Sequence, residues 1–182
     1  MHYELKPFRQ NSYNRQSAVN YAIQYALKPN SAYRYFPLIN DNSGDCANFI
    51  SQCLKAGGAT MSHNSQSAWW YDNHGTLNQK YDTWSVSWAV AHSLYWYLKT
   101  NKNISGLKGF EVTDLNKLEL GDVVFYENYN NVIFHSAIIT SFININGVIE
   151  PLISQHSYEG LNIIYRKSYP YKKVHFLKIS II

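Results

Sequence analysis

Gly44-Asp45-Cys46-Ala47-Asn48-Phe49-Ile50-Ser51-Gln52-Cys53-Leu54-Lys55-Ala56-Gly57-Gly58 is the stretch on which the reading of this chain turns. Ala47, Ile50 and Leu54 recur at the spacing of one helix face, with Phe49 and Cys53 on the adjoining stripe. The double glycine is a helix stop. Asp45 stands where an N-cap belongs, which puts Cys46 at the first helical position. A helix start carries partial positive charge and unpaired N–H groups. A thiolate there is expected to be stabilised, with its pKa below the free value of about 8.5. That is the preparation a cysteine nucleophile needs. The competing reading is a small buried cysteine that only packs.

The string DCANFISQCLKAGG resembles the motif around the active cysteine of a bacterial amidase-domain family. That family is related to the NlpC-like and CHAP cysteine peptidases of the papain-like superfamily. The likeness extends along most of the chain. YNRQSAVNYAIQYAL (13–27) is similar to the family's opening helix, and Trp84-Ser85-Val86-Ser87-Trp88 to its tryptophan-marked segment. Gly121-Asp122-Val123-Val124-Phe125-Tyr126 resembles the turn and apolar run before the histidine strand, and His135-Ser136-Ala137-Ile138-Ile139-Thr140 that strand itself. The resemblance implies an α+β fold with a papain-like core, N-terminal helices packed on a small antiparallel sheet. It implies a cysteine amidase with no cofactor.

Composition bounds the rest. The chain has 182 residues, enough for one domain with one core, and 46% of them are hydrophobic, which reads as globular. Residues 1–182 are therefore read as a single domain with 1–12 as an N-terminal arm. The net charge is +4 with no compact basic run, a poor footprint for nucleic acid but one suited to an anionic envelope polymer. Cys46 and Cys53 would lie about 10 Å apart along one helix, beyond disulfide reach, so two free thiols are expected. The opening MHYELKPFRQ lacks the apolar region of a signal peptide, and no run reaches the ~18 apolar residues of a membrane span.

The order of elements reads as helices first, then strands. A helix is expected over 13–27, the cysteine helix to about 56, and a long loop over 59–83. An aromatic helix follows over 85–100, then a turn-rich connector over 101–109 and a short helical or turn segment over 114–120. Strands are expected over 121–126, 132–142, 148–156, 161–166 and 173–180, as an antiparallel meander. The near-continuous apolar run after His135 predicts a strand buried on both faces.

A cysteine nucleophile needs a base within reach, and the base needs an orienting group. Of seven histidines, His135 heads the buried strand and corresponds to the family's base. His92 reads as structural or surface; His63 and His74 sit in the long loop and are not chosen. Gln155-His156-Ser157 ends the next strand and resembles the family segment that supplies the third member. His156 is taken as that member; Gln155, on the opposite face of the same strand, is the alternative. Oxyanion donors are the Cys46 N–H and, in papain-like enzymes, a side chain just upstream, for which Asn40, Asn42 and Ser43 are candidates without a convincing match.

Asp45 reads as a cap or substrate-side positioner. Trp69 and Trp70, in the loop, are candidates to stack on substrate. Trp88 and Trp96, eight apart, read as core. Metal motifs such as HExxH and CxxC pairs are missing.

The expected function is hydrolysis of peptide-like amides, with peptidoglycan stem peptides as the leading substrate by resemblance, in an extracellular or cell-wall setting. A non-catalytic envelope-binding module is the competing class. An acyl transferase or an effector on the same fold is the rival within the class.

Overall fold

The computed structural model describes residues 12–39, 44–101, 106–167 and 169–182. Most of the expected arm, His2, and the candidates Asn40, Asn42 and Ser43 lie outside the described residues.

Helix α1 (Arg15–Tyr25) starts at Asn14, whose side chain accepts the Ser17 N–H at 2.9 Å. Its buried residues, Ala18, Val19 and Ala22, are small, which lets α1 lie close against α2 (Cys46–Ala56). α2 is buried on every side from Cys46 to Leu54. An enclosed helix has to satisfy its polar side chains internally. Asn48 donates to the Arg34 carbonyl (2.9 Å) and accepts from the Trp88 indole (2.7 Å). Ser51 donates to the Trp88 carbonyl (2.8 Å) and accepts from the Trp69 indole (3.0 Å). Gln52 accepts from the Tyr21 hydroxyl at 2.6 Å. α2 ends at Gly57, where a Cβ would meet the Tyr13 ring at 2.3 Å. The helix stop is thus also a close-packing site.

β1 (Tyr71–Asp72) and β2 (Thr83–Trp84) pair as a short antiparallel ribbon, giving the long loop local structure. The expected aromatic helix is two pieces, α3 (Val86–Ala89) and α4 (Ala91–Thr100). Val90 breaks it with extended backbone angles (φ −115°, ψ 120°). The break removes the common register of Trp88 and Trp96: Trp88 is fully buried, but Trp96 is 46% exposed.

The six-stranded sheet is antiparallel throughout, in the order β3-β8-β4-β5-β6-β7. Its strands are β3 (Leu107–Val112), β4 (Val123–Glu127), β5 (Ile133–Ile145), β6 (Val148–Gln155), β7 (Gly160–Ile164) and β8 (Lys173–Ile181). The fold is α+β, as expected. Two details differ from a simple meander. β8 returns past the hairpins to pair with β4, and β3, expected as connector, forms the edge beyond it. β3 carries Lys108 and Gly109 and no alternation, so pairing with β8, a long-range contact, is what makes it a strand.

Both faces of the sheet are covered. Phe125, Ile138 and Leu177 meet the helices, while Val124, Tyr126, Ala137, Ile139 and Ile153 form a second cluster with Tyr165 and Phe176. Burial on two sides explains the unbroken apolar run of β5. Arg15 and the buried Asp122 tie α1 to the sheet. Arg15 donates to Asp122 at 2.6 Å and to the Ile179 carbonyl at 2.9 Å, and Asp122 also accepts the Ile179 N–H at 3.0 Å.

Candidate active site

Cys46 is the first residue of α2 and 7% exposed; Cys53 is fully enclosed, and both are free thiols. The Ser136 hydroxyl, the Ser136 N–H and the Ala47 N–H stand close enough to the sulfur to favour its charged form. That hydroxyl is buried with no hydrogen bond to nitrogen or oxygen among the described residues. Strand pairing explains the contact. β5 pairs with β6 only from Ile138 onward, because β6 ends at Gln155. The Ser136 N–H is left facing the start of α2, in the plane of the sheet. Ser136 shares the helix side of the sheet with Phe125, and His135, the next residue back along β5, turns to the other face beside Tyr126.

The thiol does not follow the expectation for a helix start. Burial pushes its pKa up, against the lowering by the Ser136 hydroxyl and the two N–H groups. Desolvation outweighs the helix terminus because almost no water reaches the sulfur.

His135 is buried and its ring lies 5.5 Å from that of Tyr126. Its Nε2 is 2.9 Å from Gln155 Oε1. The amide orientation is set by its surroundings: Gln155 Nε2 donates to the Tyr158 carbonyl at 2.5 Å, and Lys167 Nζ donates to Oε1. Oε1 is therefore an acceptor, so His135 Nε2 carries the hydrogen and Nδ1 is the bare nitrogen. Burial is the main cause that pulls the His135 pKa down to about 4, with the Lys167 charge acting in the same direction and the Gln155 bond opposing.

The third member chosen from sequence is corrected by this geometry. His156 does not meet His135; Gln155 does. His156 Nδ1 lies 2.5 Å from Asp45 Oδ2, its Nε2 donates to the Tyr25 carbonyl (2.7 Å), and its ring stacks on Phe49 at 4.1 Å. Alternation along the strand end is the reason: Gln155 points to the His135 face and His156 to the helix face. Ser157 completes the pattern by accepting the Asp45 N–H at 2.6 Å. Gly44 allows the approach, since a Cβ there would come within 2.4 Å of Ser157 Oγ. Ser157 (φ 55°) and Tyr158 (φ 80°) both take left-handed backbone angles. Strain of this kind persists where contacts fix the chain, here at the start of α2 and at Gln155.

Asp45 is likewise corrected. It is buried, and its side chain makes no capping bond to the helix backbone. Oδ1 accepts the Phe36 N–H (3.0 Å) and the Asn48 amide (2.8 Å), and Oδ2 faces His156. Both oxygens are engaged inside the protein, and at 1% exposure the carboxylate does not face solvent. Trp69 is fully buried between Trp88 and Tyr97, so it is core and not a stacking platform. Trp70 is half-buried and stacks on His63 at 5.1 Å. His92 is structural as read, accepting the Ile133 N–H at the start of β5 (3.1 Å).

A cavity of about 490 Å³ borders the site, lined by Gln155, Tyr158, Glu159, Arg166, Lys167 and Tyr169 with two isoleucines. Tyr169 links it to the cysteine: its hydroxyl is buried with no hydrogen-bond partner among the described residues, and after burial the charge of a Cys46 thiolate is the next cause that raises its pKa. Sequence reasoning missed Ser136, Ser157, Lys167 and Tyr169. Ser136 and Ser157 stood inside quoted motifs beside histidines; Lys167 and Tyr169 lie in the β7–β8 connection with no local pattern to mark them. Among the described residues no cluster of histidine, cysteine and carboxylate has the makings of a metal site.

A family model described as "Putative amidase domain" matches residues 12–177. The chain is 38% identical over 151 residues to the uncharacterized protein YhbB of Bacillus subtilis (strain 168), covering 81% of this chain and 42% of that protein. It is 28% identical over 160 residues to the uncharacterized protein YjcM of the same organism, covering 83% of this chain and 32% of that protein. The chain thus spans less than half the length of either relative. No solved structure matches it significantly.

Proposed function

This chain belongs to that amidase-domain family, and on that footing we propose that it is a cysteine amidohydrolase of papain-like design acting on peptide-like amide bonds. Cys46 is the nucleophile and His135 the base. In this reading His135 Nδ1 takes the thiol proton as sulfur attacks the carbonyl carbon, then returns it to the leaving amine; water releases the acyl group. The first N–H groups of α2 hold the oxyanion, and Gln155 orients the imidazole. The observation that carries the reading is the His135–Gln155 bond, made one residue from the Ser136 that stands close to the Cys46 sulfur. A cysteine that only packs does not account for an imidazole buried and oriented by Gln155 one residue along the strand from Ser136.

The substrate we propose is a peptidoglycan stem peptide or its amide link. The net charge of +4 suits an anionic wall polymer, and the neighbouring cavity has room for a peptide segment. The binding-module reading is weakened, because Trp69 and Tyr71 of its aromatic loop are buried. The test is mass analysis of peptidoglycan fragments after incubation, with and without iodoacetamide. A new amine and carboxyl pair, lost on alkylation, supports the proposal; unchanged fragments under all conditions oppose it.

Two further results are expected. Iodoacetamide labels Cys46 before the fully enclosed Cys53, and the Cys46 rate keeps climbing past pH 8, because burial holds the thiol protonated. A rate that plateaus near pH 7 would show a stabilised thiolate instead. The acid limb of kcat/KM should lie near pH 4, since His135 stays neutral and able to accept a proton until it charges at about that pH. A limb at pH 6 to 7 would mean a solvated ring.

A further inference from the structure

The hydrogen bonds of Gln155 extend past the Cys46, His135 and Gln155 set. Gln155 Oε1 accepts from two donors, His135 Nε2 (2.9 Å) and Lys167 Nζ. Gln155 Nε2 is taken by the Tyr158 carbonyl at 2.5 Å. Lys167 also lies over the Tyr126 ring, 5.2 Å from its centroid, the same ring that borders His135. Lysine, amide and imidazole thus form a chain across one face of the sheet.

A primary amide can turn over and exchange its O and N ends at little intrinsic cost, so its direction depends on its neighbours. Were Gln155 reversed, its NH2 would face the Lys167 ammonium and its oxygen the Tyr158 carbonyl. It would also present a donor to His135 and call for the opposite tautomer, with the hydrogen on Nδ1. Lys167 and Tyr158 select the same direction, one from each end.

We infer that Lys167 is a positioning residue that acts through Gln155 to hold His135 in the Nε2–H tautomer, leaving Nδ1 free as the base. The inference deepens the proposed function and rests on it for the use made of Nδ1. Lys167 also opposes charging of the imidazole. Burial lowers the Lys167 pKa to about 8, so at neutral pH it remains a cation, while His135 stays neutral down to about 4. Tyr126 also lies against the ring, the Cys46 thiol is the titratable group that the proposed reaction sets at Nδ1, and Glu159 and Arg166 stand on the rim of the same cavity.

The test is nitrogen-15 NMR of the histidine rings, assigned with a His135→Gln variant. In the unsubstituted protein at pH 7, His135 should show a protonated Nε2 and a bare Nδ1. Lys167→Met keeps the aliphatic stem and removes the donor and charge. It should give a mixed tautomer, with the ring charging at a pH roughly one unit higher. Lys167→Arg should restore both toward the original values. If Lys167→Met fails to fold by circular dichroism, Lys167→Leu, which also lacks donor and charge, is read the same way. A ring whose tautomer and charging pH are unchanged when Lys167 is replaced overturns the inference. Because the readout needs no turnover, it stands apart from the amidase reading: loss of the tautomer shift sinks the role of Lys167 alone, and absence of cleavage in the unsubstituted protein sinks the proposed reaction alone.

Discussion

Cys46→Ala should lower amide release by roughly 10⁴-fold or more while leaving the melting temperature within a few degrees of the starting protein. The two halves of this expectation have different sources. The loss of rate follows because alanine offers no atom that can bond to the carbonyl carbon; what survives comes from substrate binding and the N–H groups at the helix start. The small stability change follows from what the thiol does in the fold. Its removal empties little volume, and the side chain it leaves still packs at the first turn of α2. Removing an atom whose charged form burial disfavours also costs little. Cys53→Ala is the control, and the contrast is informative because both cysteines sit on the same helix. Cys53 is wholly enclosed, so its loss costs packing, but turnover should persist. Retained turnover in Cys46→Ala, measured as kcat/KM on the same amide, would remove the cysteine from the mechanism. A large fall in melting temperature with equal loss in both variants would make Cys46 a packing residue.

How much of this was legible in the sequence depends on the range of the contacts involved. α2 was readable because its determinants are local: apolar spacing, an N-terminal Asp and a glycine stop all lie within 44–58. The same holds for β5, whose apolar run marked burial on both sides. What was not readable depends on partners far along the chain. β3 is a strand only because β8 pairs with it from about 70 residues away. The expectation of a lowered thiol pKa used the helix terminus, a local property, and missed desolvation, which depends on how closely the sheet covers the sulfur. Gln155 and His156 show the limit most sharply. Adjacent strand residues point to opposite faces, and the sequence specifies this alternation well. It does not say on which face the helix will dock. One bit of information, the side of the sheet taken by α2, decided which residue meets the base and which meets Asp45. Lys167 was out of reach for the same reason, since nothing near it in sequence forecasts a contact with Gln155.

That distinction between neighbours yields the second large effect. His156→Ala should cost about 3–5 kcal/mol, a fall in melting temperature of roughly 10 °C for a chain of this length. The imidazole fills the space between Asp45 and the Tyr25 carbonyl and stacks on Phe49; without it a buried carboxylate oxygen and a partly buried carbonyl lose their partner at once. Asp45 also fixes Phe36 and Asn48, so the disturbance passes directly into the start of α2. Gln155→Met should show the opposite signature. It keeps an apolar stem of similar size, so stability should fall by about 1 kcal/mol, yet kcat should drop ten- to a hundredfold as the His135 ring loses its orienting acceptor. Thermal melts and steady-state kinetics on the two variants side by side separate the roles. A His156→Ala protein that melts normally but turns over poorly would make His156 the third catalytic member after all. A Gln155→Met protein with undiminished kcat would show that the bond seen at His135 has no part in the chemistry, and the site would then have to be rebuilt around the helix face, where Ser136 and His156 lie.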